Sequence, residues 1–138
     1  MDPRLPTAEH ILAKILEDRF NVRIGICKFD DHGLLEVYSG ADMRKIDIKV
    51  LQEEVNGVTS KNLPVKKYIL SRKEAEKVAD LRKVPESAKE IRVVDIIGFD
   101  KRPCKDDHAD NTSEIRGIKI TSIERVGKDR YRFLFECK

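Results

Sequence analysis

Cys104 and His108 stand four residues apart in a polar stretch, Arg102-Pro103-Cys104-Lys105-Asp106-Asp107-His108-Ala109-Asp110-Asn111-Thr112-Ser113-Glu114-Ile115. A thiolate and an imidazole so spaced on an irregular segment can turn inward onto one soft or borderline metal ion, zinc being the commonest. Two ligands do not make a site, and the same stretch reads equally as a turn-rich surface loop that carries one cysteine and one histidine. A third donor is His10, far away in sequence near the start of a predicted helix.

The chain that must bring these residues together has 138 residues, 40% hydrophobic and 38% charged, with no Trp. That is the size and composition of one soluble domain, residues 1–138, with a core of Ile, Val and Leu. Three widely separated cysteines, Cys27, Cys104 and Cys137, do not form a disulfide framework and suit a reducing compartment. No run reaches the roughly 18 apolar residues of a membrane span, and the N-terminus has no export signal. The expected location is the cytoplasm, with neither membrane nor DNA among the partners.

Apolar residues recur at three and four from Ala8 through Ile11, Leu12, Ile15 and Leu16, predicting a helix over Thr7 to Phe20 with Thr7 as its cap and His10 at the edge of the stripe. Arg23 to Phe29, Leu34 to Ser39 and Met43 to Lys49 read as an antiparallel meander, with His32 in a turn. A helix from Val50 to about Asn62 follows, then a strand from Pro64 to Leu70. Ser71 and Glu74 have capping-box spacing, which opens a helix expected to run to Leu81. Ile91 to Phe99, Gly117 to Val126 and Arg130 to Cys137 are strands, the last two joined as a hairpin. The fold class is α+β: antiparallel sheet packed with a few helices.

Charge is uneven along this framework. Residues 61–92 carry 10 Lys and Arg against 5 Asp and Glu, which fits a polyanion footprint at Lys61, Lys66, Lys67, Lys73 and Lys77. A solvated helix face explains the same block.

The order of motifs resembles the alanyl-tRNA editing proteins of the AlaX type, and with them the editing domain of alanyl-tRNA synthetase and the second additional domain of threonyl-tRNA synthetase. Where that family opens a helix with His-Thr-Ala-x-His, this chain has Pro6-Thr7-Ala8-Glu9-His10. Glu53-Glu54-Val55-Asn56, Ile91-Arg92-Val93-Val94, the Cys104 to His108 loop and Thr112-Ser113-Glu114-Ile115 follow in the family's order.

The resemblance implies hydrolysis of mischarged aminoacyl-tRNA, typically removing serine or glycine from alanine-specific tRNA, with aminoacylated tRNA as partner and zinc as cofactor. It makes His10, Cys104 and His108 metal ligands and Thr7 the hydroxyl that senses the substrate side chain. Two departures qualify it. Pro6 replaces the first histidine, and Lys105-Asp106-Asp107 replaces Gly-Gly-Thr. Three ligands with an open fourth position is a catalytic arrangement; alternatively Asp106 or Asp107 supplies a carboxylate to the site. The remaining alternative is a non-catalytic relative with a degenerate zinc site that binds tRNA or a partner.

Overall fold

The computed structural model describes residues 1–138 and is α+β: three helices with two antiparallel sheets. Helix α1 spans Arg4–Phe20 and buries Leu5, Ala8, Ile11, Leu12, Ile15 and Leu16, the predicted stripe. It starts three residues earlier than expected, because Asp2 accepts the Arg4 amide at 2.9 Å and Pro3 already holds a helical φ of −66°. Thr7 therefore lies inside the helix and does not cap it; its hydroxyl reaches back to the Pro3 carbonyl at 3.3 Å. Asn21, left-handed at φ 53°, ends the helix by donating to Glu17.

Strands β1 (Arg23–Phe29) and β2 (Gly33–Tyr38) form the expected hairpin. The third strand of the meander does not exist. Asp42 accepts the Arg44 amide to start a 3-10 turn at Met43–Lys45, and Asp47 accepts the Lys49 and Val50 amides to cap helix α2, Ile48–Thr59. These side chains satisfy the backbone locally, so the segment has no need of a ladder. The place beside β2 is taken by the C-terminal strand β7 (Arg130–Cys137), giving a sheet ordered β1-β2-β7-β6 with β6 at Ile118–Gly127. Asn56 of α2 binds both the amide and the carbonyl of Ile118, at 2.7 and 3.1 Å, and so fixes helix to sheet.

The second sheet is ordered β3-β4-β5, from Val65–Ser71, Glu90–Ile96 and Asp100–Pro103. The capping box at Ser71 and Glu74 is present, but α3 stops at Glu76. Strand β5 is a strand the sequence does not announce. Its residues pair with Val93 to Ile96 and deliver Cys104 just beyond its end. A core of 23 buried residues, including Ile11, Leu35, Val94, Ile96, Ile115 and Phe133, joins α1 and α2 to both sheets. No helix is long and apolar enough to cross a membrane.

Candidate metal centre

Helix α1 and the loop after β5 meet, and the three expected donors converge. The ligand atoms of His10, Cys104 and His108 all lie within 4.8 Å of one another. His108 Nε2 is 3.3 Å from Cys104 Sγ, and the two imidazole rings meet edge to face with centroids 4.5 Å apart. Ligands around tetrahedral zinc are roughly 3.5 Å apart, given bonds of about 2.1 and 2.3 Å, so the Cys104–His108 pair already has the needed separation.

Thr7 Oγ1 accepts the Ala109 amide at 3.0 Å and lies 3.3 Å from the Pro3 carbonyl and 3.0 Å from His108 Nδ1. In the Nδ1-protonated tautomer the ring donates to Thr7 and Nε2 presents its lone pair toward Cys104, the form in which a histidine ligates with its other nitrogen held by an outer partner. His10 Nδ1 is buried with no hydrogen-bond partner. A buried imidazole nitrogen left so is costly unless something binds it. Two imidazole nitrogens and a thiol sulfur brought this close fit zinc.

Burial shapes the electrostatics. It drives His10 well below the usual histidine range and, aided by the Lys67 and Arg92 cations, takes His108 down to about 4, so both rings are neutral at pH 7. It also raises the Cys104 thiol to about 11, in spite of a backbone hydrogen bond that lowers it. A metal here must displace one thiol proton and none from either ring.

The other expected residues take distinct places. Thr7 is fully buried and its hydroxyl is completely bonded. Asp106 receives the Cys104 thiol at 3.7 Å and lines an open cleft of about 410 Å³ together with Cys27 and Phe29. Asp107 is exposed. Lys61, Lys66, Lys73 and Lys77 are exposed, whereas Lys67 is half-buried and donates to the His108 carbonyl and to Asp110 Oδ1, both at 2.9 Å. Lys66 and Lys67 alternate across β3, so the five lysines do not share one face.

Two residues near the site were not legible in the sequence. Glu9 is buried beside Cys27, Arg102 and Lys83, with Oε2 unpartnered, and burial raises its carboxyl to about 7. Burial likewise pushes the Cys27 thiol up to about 12. Glu9 precedes His10 and sits in the apolar stripe; the one available signal was that its neighbours Thr7 to Ala13 are otherwise uncharged.

Residues 91–133, which include the Cys104 to His108 loop, match the Threonyl and Alanyl tRNA synthetase second additional domain. An alanyl-tRNA editing protein AlaX-M from Methanosarcina acetivorans is 34% identical over 145 residues, covering 96% of this chain and 56% of that protein. The AlaX-M protein of Methanosarcina barkeri is 31% identical with the same coverage.

This chain is similar to the alanyl-tRNA editing proteins over nearly its whole length.

An alanine-tRNA ligase from Methanopyrus kandleri is 32% identical over 138 residues, 92% of this chain and 15% of the ligase. The chain thus spans about half the length of the AlaX-M relatives it matches and a small part of the synthetase. The similarity to the AlaX-M editing proteins takes in nearly the whole chain and so extends well beyond residues 91–133.

Proposed function

We propose that this chain is a single aminoacyl-tRNA editing domain and that it hydrolyses mischarged alanine-specific tRNA, releasing serine or glycine. The observation that carries the reading is the convergence of His10, Cys104 and His108 within 4.8 Å, on a chain related to editing proteins over nearly all its length. Zinc held by those three side chains would supply a Lewis acid and a lowered pKa for water.

The chain's own residues supply the rest. Thr7, buried and bonded to His108 Nδ1, to the Ala109 amide and to the Pro3 carbonyl, is a positioning residue in this reading. The cleft walled by Cys27 and Asp106 is joined to Cys104 through Asp106, and in this reading it takes the aminoacyl ester. Asp106, already at the thiol, is the carboxylate placed to accept a proton from an attacking water, and Asp107 at the loop surface stands outside that chemistry. Lys61, Lys66, Lys73 and Lys77 are free to meet phosphates.

The test is deacylation of Ser-tRNA and Gly-tRNA carrying the alanine anticodon, with Ala-tRNA as control. Release of serine or glycine by the wild type, lost in Cys104→Ala, supports the reading. Binding of these tRNAs without turnover replaces it with a tRNA-binding relative, the outcome that Pro6 and Lys105-Asp106-Asp107 would then explain.

A further inference from the structure

The loop from Cys104 to Asp110 carries two of the three donors, yet Cys104 to Ala109 form no ladder and no helix. A segment with so little regular bonding opens cheaply unless side chains elsewhere hold it. Arg92 reaches the Lys105 carbonyl and Glu114 the Asp110 amide near its ends, and two more side chains grip one peptide unit at His108. Thr7 Oγ1 accepts the N–H of the His108–Ala109 peptide at 3.0 Å, and Lys67 Nζ donates to its carbonyl oxygen at 2.9 Å. Thr7 also meets the His108 ring.

We propose that Lys67 is a positioning residue for His108, acting through the main chain of the loop, and is not a phosphate contact. The anchoring follows from geometry alone; its consequence for metal rests on the reading of His108 as a ligand. Lys67 is suited to the task because β3 is paired with β4 along its whole length, Val65 to Ser71, so its stem starts from a rigid element. Its side chain is 25% exposed and crosses to a carbonyl of a buried residue. A charged donor to a buried carbonyl is among the stronger hydrogen bonds. The second partner weighs less: the Asp110 side chain is 88% exposed, and ion pairs in water contribute little. With Nδ1 of the ring, the N–H and the carbonyl all bound, neither the ring nor the peptide that follows it is free to turn.

The test compares Lys67→Met, Lys67→Arg and Asp110→Asn by two readouts. Zinc affinity is measured by chelator competition, and amide hydrogen exchange at Ala109 is followed in metal-free protein. Lys67→Met is expected to weaken zinc about tenfold, the lower end for outer partners of metal ligands, and Lys67→Arg to recover most of it. Asp110→Asn is expected to change affinity by less. In metal-free Lys67→Met, Ala109 should exchange faster while the β3 and β4 amides keep their protection. Unchanged Ala109 protection overturns the proposal whatever the metal does. Faster Ala109 exchange in a protein that binds no zinc supports the anchor and removes the metal reading alone. Unchanged protection with a shallower salt dependence of tRNA binding overturns it in favour of a phosphate contact.

Discussion

Thr7 Oγ1 lies 3.0 Å from His108 Nδ1 and 3.0 Å from the Ala109 amide nitrogen, so one hydroxyl on helix α1 orients both the ring and the backbone of the loop. Thr7→Val keeps the shape and removes the one oxygen that serves both contacts. Each buried donor left unpaired costs about 1–3 kcal/mol. The expected result is a loss of a few kcal/mol in denaturant unfolding, together with roughly tenfold weaker zinc binding. Thr7→Ser should retain both. Wild-type stability in Thr7→Val would mean that the hydroxyl bonds do not hold the loop.

How much of this was legible beforehand differs by residue. His10, Cys104 and His108 were readable because donor chemistry and motif order survive without coordinates, and α1, β6 and β7 because their apolar periods are strong. The segment Met43 to Lys49 misled because Ile46 and Ile48 alternate with charged residues as in a strand, while the deciding interactions are Asp42 and Asp47 side chains on nearby amides. Strand β5, Asp-Lys-Arg-Pro, has no apolar pattern at all; it exists because β4 offers it an edge. Lys67 looked like any other member of a basic block, and only its tertiary partners separate it from Lys66. Glu9 was marked only by its uncharged neighbours from Thr7 to Ala13, too little to say which carboxylate the fold encloses.

Pro6 sits one helical turn before His10, on the same buried side of α1. It occupies the first turn, where its missing N–H is no loss. Pro6→His restores the family pattern and offers a fourth donor. Zinc affinity should rise by more than the roughly tenfold worth of an outer partner, read by chelator competition. An unchanged affinity would place residue 6 outside the metal's reach.

Zinc binding should release a single proton at neutral pH. Cys104 is held near 11 and His108 near 4, with His10 also far below the usual range, so between pH 6 and 8 only the thiol must be deprotonated. Affinity should therefore increase with pH, about tenfold per unit. A slope near zero would show that the thiolate is formed without metal or is not a ligand.

Glu9 makes an opposite kind of pH prediction, about stability. The folded protein keeps its proton to about pH 7, whereas the carboxyl's ordinary value is 4.5. The folded state binds more protons across that window, so its stability falls as pH rises from about 4.5 to about 7. Glu9→Gln should be more stable than wild type at pH 8 by roughly 2–3 kcal/mol, and nearly equal to it at pH 4. Equal differences at both pH values, in urea unfolding, would contradict a titration of Glu9.

Among the lysines, Lys61, Lys66, Lys73 and Lys77 are the exposed members of the basic block. Each one that neutralises a phosphate should, when changed to Gln, lower the slope of log affinity against log salt by a little under one. Filter-binding titrations with tRNA from low to moderate salt measure this. Slopes unchanged in all four variants would leave them as a solvated surface.

The central claim is that His10, Cys104 and His108 form a metal centre, and zinc content per chain tests it most directly. Protein purified without chelator and dialysed against metal-free buffer should retain one zinc per chain, by elemental analysis, and Cys104→Ala prepared in the same way should retain none. A folded wild type that carries no zinc and takes up none when titrated with it would contradict the account.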